Sequence, residues 1–417
     1  MTAASPTGLT NRPFYYSLPA VIVAGSLIAV IAFGVRSSSG LFTGPYTQAH
    51  GWGREVYALA MAVQNLMWGL GQPFVGMIAD NFGTRRVVMA GAFVYAAGMV
   101  LMAYAATPAM LFLGGGVLMG LGIAMTSFSL IMAAFGRIVP PERRSWAFGI
   151  ATAASSMGQF IFAPLGQAFI AAYGWQAAML LLSSTLALIL VLAIPLGVPG
   201  AARPTPAANE ANLKMAEALK LAFGHGSYVL LVLGFFVCGF QLAFVVVHLP
   251  PYLIDRGISP GFAAWAIGMV GLFNVVGSYA AGVFGGKHSR RLGLSFIYFA
   301  RAVVTVAFLV LPVSTGSVLA FTAAMGLLWL STVPLTMGLV TLMFGTQYMA
   351  TLYGFVFLSH QIGSFFGVWL GGYAYDRWGS YDIVWWLSVA LSVFAGLVHL
   401  PIRERMARGF AAQALPA

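Results

Sequence analysis

Charge is what this chain has least of: Lys, Arg, Asp and Glu together make up 7% of its 417 residues, and only nine of those are acidic. Soluble proteins carry about 25% charged residues, so a fully water-facing surface is excluded. A single cysteine, Cys238, excludes an internal disulfide. No Walker loop, metal-spaced His/Cys set or pair of carboxylates occurs, and His288 and His399 lie far apart without acidic partners. Nucleotide-driven, metal-dependent and acid–base enzyme chemistry are therefore not expected, and neither is a cofactor. The opening MTAASPTGLTNRP lacks the basic start and small-residue cleavage site of a secretory signal, so the first apolar run is expected to stay as a helix.

What remains is apolar. Hydrophobic residues make up 60% of the chain, and the mean hydropathy is +0.90. Runs of roughly 18 or more apolar residues recur, each long enough to cross a hydrocarbon core about 30 Å thick as a helix. Strands would need polar alternation, which is lacking. Breaks at charges, prolines and turn residues predict twelve spans, near 15–44, 55–79, 86–105, 109–136, 146–171, 176–198, 227–250, 261–286, 292–312, 316–344, 351–375 and 382–402. The expectation is an all-α membrane protein.

A net charge of +11 raises the question of nucleic acid, and topology answers it. With a cytoplasmic N-terminus, the inside segments hold Arg12, Arg85, Arg86, Arg137, Arg143, Arg144, Arg203, Lys214, Lys220, Lys287, Arg290, Arg291, Arg403, Arg405 and Arg408. Outer loops hold only Arg54, Arg256 and Arg377, and Arg36 and Arg301 fall inside apolar runs. Lysine and arginine gather on the cytoplasmic side of membrane proteins. No nucleic-acid partner is expected; both termini are placed in the cytoplasm, in a cell inner membrane.

The long polar stretch PGAARPTPAANEANLKMAEALK separates six spans from six and reads as a cytoplasmic linker. The expected domains are 1–198, a linker at 199–226, and 227–417. If the halves are duplicates, landmarks should recur at a fixed offset. Gly34/Gly239, Gly51/Gly257, Gly76/Gly282, Gly120/Gly326, Gly149/Gly354, Gly158/Gly363 and Gly174/Gly379 differ by 205 or 206. Pro45-Tyr46 against Pro251-Tyr252 and Arg85 against Arg291 keep the same register. A parallel repeat of two six-helix bundles is one layout of secondary transporters, with the substrate site near the midplane between them.

The turn between spans two and three reads GMIADNFGTRR. Its Gly76, Asp80, Gly83, Arg85 and Arg86 closely resemble the loop signature of the major facilitator superfamily, with Asn81 in place of the usual basic residue. The resemblance implies a gate that braces the two halves when the cytoplasmic side is shut, the aspartate facing a helix N-terminus of the other half. A carboxylate there gains about 0.3 to 1 kcal/mol. The second half has Gly286 where the aspartate would project, so a one-sided brace is expected. FGVRSSSGLFTGPYTQAHGWGRE and GFVFLSHQIGSFFGVWLGG resemble bacterial monocarboxylate-transporter-like proteins, a branch near the oxalate/formate exchangers.

Arg36 is the sharpest chemical signal. A buried arginine costs several kcal/mol and normally faces a cavity or a partner. In GVRSSSG, small residues leave room around the guanidinium, which can hold a carboxylate by two parallel hydrogen bonds. Snorkelling to the outer interface is the alternative. Its repeat mate Gln241 is expected to approach the cavity from the opposite side. Arg301 is read as structural, bonding to carbonyls or to a neighbouring helix. His360 and Gln361 sit in span eleven, where an imidazole either binds substrate, carries a proton or joins helices. His248 is read as an outer-end interface residue. Asn65, Gln64, Thr126, Ser156, Gln159, Asn274, Ser331 and Thr332 are polar positions within spans, divided between substrate contact and interhelical bonding. Trp329 supplies either a cavity wall or packing.

The leading expectation is a secondary transporter of a small organic anion, a monocarboxylate above all, working as a monomer by proton coupling or exchange. An exporter of drugs or amphipathic metabolites, with 32 Phe and 20 Met forming an adaptable cavity, is the first alternative. A non-transporting membrane sensor is the second.

Overall fold

The computed structural model describes residues 14–139, 144–197, 214–345, 348–407 and 410. Among them, twelve long helical units follow one another. We label them α1 (Leu18–Ser37), α2 (Arg54–Phe82), α3 (Thr84–Ala103), α4 (108–138, interrupted), α5 and α6 (Arg144–Leu192, divided at Gly174), α7 (Gly226–Asp255), α8 (Pro260–Lys287), α9 (Arg290–Val310), α10 (Thr315–Leu328 and Thr332–Phe344), α11 (Met349–Trp378) and α12 (Asp382–His399). Nine stretches are long and apolar enough to cross a bilayer, one of them holding both α5 and α6. The helices α2 and α11 fall short of that measure; they carry Gln64, Asn65 and Gln72, and His360 and Gln361. Polarity on these two marks them as the helices that face the molecular interior.

Two apolar cores form, one from α1–α6 with a few residues of α7 and α11, and one from α7–α12 with Ala163 of α5. The repeat seen in the glycines is also a repeat of contacts. A Cβ on Gly158 of α5 would strike the Val30 carbonyl of α1, and one on Gly363 of α11 would strike the Phe236 carbonyl of α7. Gly120 sits on the Gln64 carbonyl and Gly326 on the Val270 carbonyl. Gly51 and Gly257 both turn at positive φ (67° and 84°), as do Gly174 and Gly379 (80° and 67°), where only glycine is unstrained. Small residues let helix backbones approach closely, which is how spans associate without a hydrophobic drive between them. Gly34 is likewise tight against the Phe162 ring and the Gly158 carbonyl, and Gly239 against the His360 carbonyl, while Gly76/Gly282 and Gly149/Gly354 face open space on both sides of the repeat.

Between the halves, α2 packs on α11 and α5 on α8. Both fourth spans are broken: α4 passes through a π-helical turn, Phe112–Leu118, and stops at Thr126, while α10 unwinds between Leu328 and Thr332. Part of the polar linker is ordered as the helix Met215–Phe223; its residues 199–213 lie outside the described residues. The end carrying the α1–α2, α7–α8 and α11–α12 turns is named the outer end, following the charge asymmetry.

Candidate functional site

Arg36 lies at the last turn of α1. Its Nη2 donates to Asn65 Oδ1 at 2.6 Å, and Asn65 Nδ2 donates to the Met61 carbonyl at 2.8 Å, which fixes the amide oxygen toward the arginine. The guanidinium carbon stands 4.9 Å from the Trp68 ring centroid and 5.8 Å from that of Phe33. Cation–π contact offsets part of the desolvation. No ion pair joins Arg36 to a carboxylate among the described residues, and Nε is buried without a hydrogen-bond partner. A buried donor left unmet costs about 1–3 kcal/mol, and more when charged. Such a group is where a ligand acceptor gains most.

Across the interface, α11 meets α2 where Gly69 accommodates the Gln361 side chain. His360 Nδ1 lies 3.2 Å from Gln361 Oε1, and the His360 ring stacks on Phe357 at 5.7 Å. Phe357 in turn meets Trp68 edge-on at 5.2 Å. Gln361 Nε2 is a second buried donor without a partner. The chain Arg36, Trp68, Phe357, His360 thus spans the two halves, with unmet donors on each side. The void beside Trp68 and Phe33, lined also by Ala29, Ile123 and Phe128, is ≈ 10 Å³, room for about one water.

Gln241 is a correction. It does not face Arg36: its amide nitrogen donates to Ser388 and Ser392 of α12, and its oxygen accepts from Arg301 Nη1 at 3.3 Å. The repeat fixes the backbone position of Gln241, but the side chain turns to the buried cation beside it. Arg301 is fully buried, and its Nη2 donates to the carbonyls of Leu328 (2.7 Å) and Trp329, the last of the first α10 segment. A cation at a helix C-terminus satisfies orphan carbonyls and the helix dipole together. This is the structural role read for it from sequence.

The other polar positions divide similarly. Asn274 on α8 accepts from the Leu330 N–H in the α10 break (2.9 Å) and donates to Ser156 of α5 (2.8 Å). Gln159 donates to the Ile267 carbonyl at 3.1 Å, a second tie between α5 and α8. Ser331 bonds back to the Leu327 carbonyl, Thr332 meets Cys238 at 3.3 Å, and Trp329 is buried in the second core. These six serve packing and interhelical bonding here. His248 Nε2 donates to the Val368 carbonyl at 2.7 Å, joining α7 to α11.

In the turn after α2, Gly83 takes φ 86° and Arg86 is exposed. Arg85 lays its aliphatic stem against Gly197 beyond α6, and Gly76 faces open space. The Asp80 side chain, on which the gate expectation turns, lies outside the described residues.

The outer end holds contacts the sequence reading placed only in loops. Arg54 of α2 makes two hydrogen bonds to the carboxylate of Asp255, the last residue of α7, at 2.6 and 2.7 Å, and a third to Tyr381 at 2.8 Å. Trp369 of α11 donates to Glu55 at 3.0 Å. Gly40 meets the carbonyls of Val246 and Val247. The halves are closed on each other at this end.

The sequence model of the Major Facilitator Superfamily matches residues 25–368, with a second match over 255–415. Monocarboxylate transporter 13 of Bos taurus is 28% identical over 372 residues, covering 87% of this chain and 83% of the relative. The uncharacterized MFS-type transporter YcxA of Bacillus subtilis (strain 168) is 26% identical over 391 residues, covering 88% and 91%. Among solved structures, a D-xylose-proton symporter superposes with a TM-score of 0.74 at 17% identity over 96% of this chain and 100% of that one. A bacterial homologue of the human lysosomal transporter Spinster, in an inward-facing, unoccupied conformation, gives 0.74 at 14% identity over 94% and 99%. Two repeated six-helix halves, polar helices at their junction and a matching model over most of the chain lead to one assignment: this protein belongs to the major facilitator superfamily of membrane transporters.

Proposed function

We propose that this transporter carries a small organic anion, a monocarboxylate, by rocking of its halves, 1–198 and 227–417, about the Arg36 site, with 199–226 as the link between them. The observation that carries the reading is the Arg36 guanidinium, held by a neutral amide and two aromatic rings with Nε unpaired. At an effective dielectric of 20, an anion about 4 Å away gains roughly 4 kcal/mol, on the order of the cost of burying the cation. A cationic cargo would add to that cost instead. Arg36 and Asn65 hold the carboxylate, Gln361 supplies a donor from the other half, and His360 is the proton carrier if transport is proton-coupled. The name of one relative above, monocarboxylate transporter 13, agrees with this cargo. Asp80 and its loop brace the cytoplasmic end in the opposite state, in an inner membrane with both termini inside and the chain acting as a monomer.

The test is uptake of a panel of radiolabelled carboxylates into proteoliposomes, with and without a pH gradient. Parent protein is expected to show saturable uptake that Arg36→Ala abolishes. Unchanged affinity and rate in that variant would reject the reading.

A further inference from the structure

The end of α11 repeats the spacing of the gate loop. Gly372, Asp376 and Gly379 stand as Gly76, Asp80 and Gly83 do, a glycine, an aspartate four residues on and a glycine three further. The helices that carry these two patterns, α11 and α2, run antiparallel across the junction of the halves, so the patterns lie at opposite ends of the molecule.

At the outer end the aspartate is engaged. Asp376 Oδ1 accepts from the Arg54 N–H at 2.9 Å and Oδ2 from the Glu55 N–H at 2.7 Å, the first two residues of α2. The N-cap of α2 is Gly53, which has no side chain to close its own helix, and a Cβ there would collide with the Asp376 carboxylate. The cap of α2 is therefore supplied by the other half of the protein. Gly372 permits this approach, since a Cβ on it would come within 2.8 Å of the Glu55 Cα. Arg54 completes the contact with its bonds to Asp255 and by lying 3.7 Å over the Tyr375 ring.

We propose that Asp376 is the outer latch of the transport cycle: it caps α2 from the opposite half while the outer end is shut and lets go when that end opens. A carboxylate on free helix N–H groups is stabilised in the closed state. When the halves part, water replaces it. Each component is individually modest, because the ion pair is partly exposed. Modest strength suits a latch that must reopen every cycle, since a two-state equilibrium shifts only by the difference in contacts between its states. The inference rests on the closed outer end and not on the cargo, so loss of the anion reading would leave it standing.

Pulsed electron-spin distances in lipid nanodiscs test it, in a Cys238→Ser background. One label pair reports the outer end (Gln48→Cys with Gly261→Cys) and one the cytoplasmic end (Asn81→Cys with Gly286→Cys), all four at exposed positions. Asp376→Ala is expected to raise the outward-to-inward population ratio about fivefold, the loss of one good cap, lengthening the outer pair and shortening the cytoplasmic one. Gly53→Ala, which displaces the carboxylate without removing it, is expected to lengthen the outer pair and shorten the cytoplasmic one as Asp376→Ala does, and carries the test alone if Asp376→Ala yields no folded protein. Parental distances at both ends would overturn the latch. So would lengthening of both pairs together, which reports a loosened fold.

Discussion

Replacing Arg301 by methionine keeps most of the side-chain volume and removes the hydrogen bonds that the guanidinium gives to the end of the first α10 segment and to Gln241. Three acceptors lose their donor: the carbonyls of Leu328 and Trp329 and Gln241 Oε1. Each unmet buried acceptor costs about 1–3 kcal/mol, while removal of a buried charge returns several kcal/mol of desolvation. The net loss is about 2–4 kcal/mol. At 2–4 °C per kcal/mol for a half of this size, melting falls by roughly 5–15 °C. Thermal unfolding of purified protein, paired with substrate affinity on the folded fraction, is the assay. Affinity is expected to stay near the parent value, since Arg301 bonds to α7 and α10 within the second half rather than across the junction. Parental melting with lost affinity would refute the brace and move Arg301 into the substrate site.

Two further outcomes follow from the geometry. Gly158→Val and Gly363→Val place a side chain against backbone at equivalent points of the two halves, so each is expected to cost about 2 kcal/mol or more, whereas Gly149→Ala and Gly354→Ala, which face open space, are neutral or gain about 0.5–1 kcal/mol; thermal melts of the four variants compare them directly. His225, ahead of α7, has its pKa lowered by burial and by the nearby Arg405 and Arg403. The unfolded chain then binds the proton more readily, so stability is full above about pH 6.5 and declines as pH falls below it. A pH series of melting temperatures is expected to show that decline, and His225→Gln to flatten it.

The repeat was legible because glycines at helix crossings admit no other residue, and a fixed offset in sequence becomes a fixed contact in space. Span ends were legible from charge and turn residues, although α5 and α6 run nearly continuous through Gly174, whose left-handed turn leaves helical hydrogen bonding on either side. Side-chain direction was not. Gln241 matches Arg36 in register, yet its direction depends on Arg301 and two serines that lie 60 to 151 residues away. The Arg54–Asp255 and Asp376 contacts carry no periodicity, and the glycine-aspartate-glycine spacing before the last turn marks only the second. The break in α10 was hidden because its sequence, LLWLSTV, is as apolar as a continuous span; the groups that stabilise it, Arg301 and Asn274, come from other helices.

The central claim is that the Arg36 guanidinium reads the negative charge of the cargo, and equilibrium binding tests it most directly. The affinity of the best-transported carboxylate is compared with that of its neutral amide, on parent protein and on Arg36→Gln. Parent protein is expected to prefer the carboxylate by tenfold or more, at about 1.4 kcal/mol per factor of ten, and the variant to lose that preference while still binding the amide. A preference that survives the substitution undiminished would contradict the account.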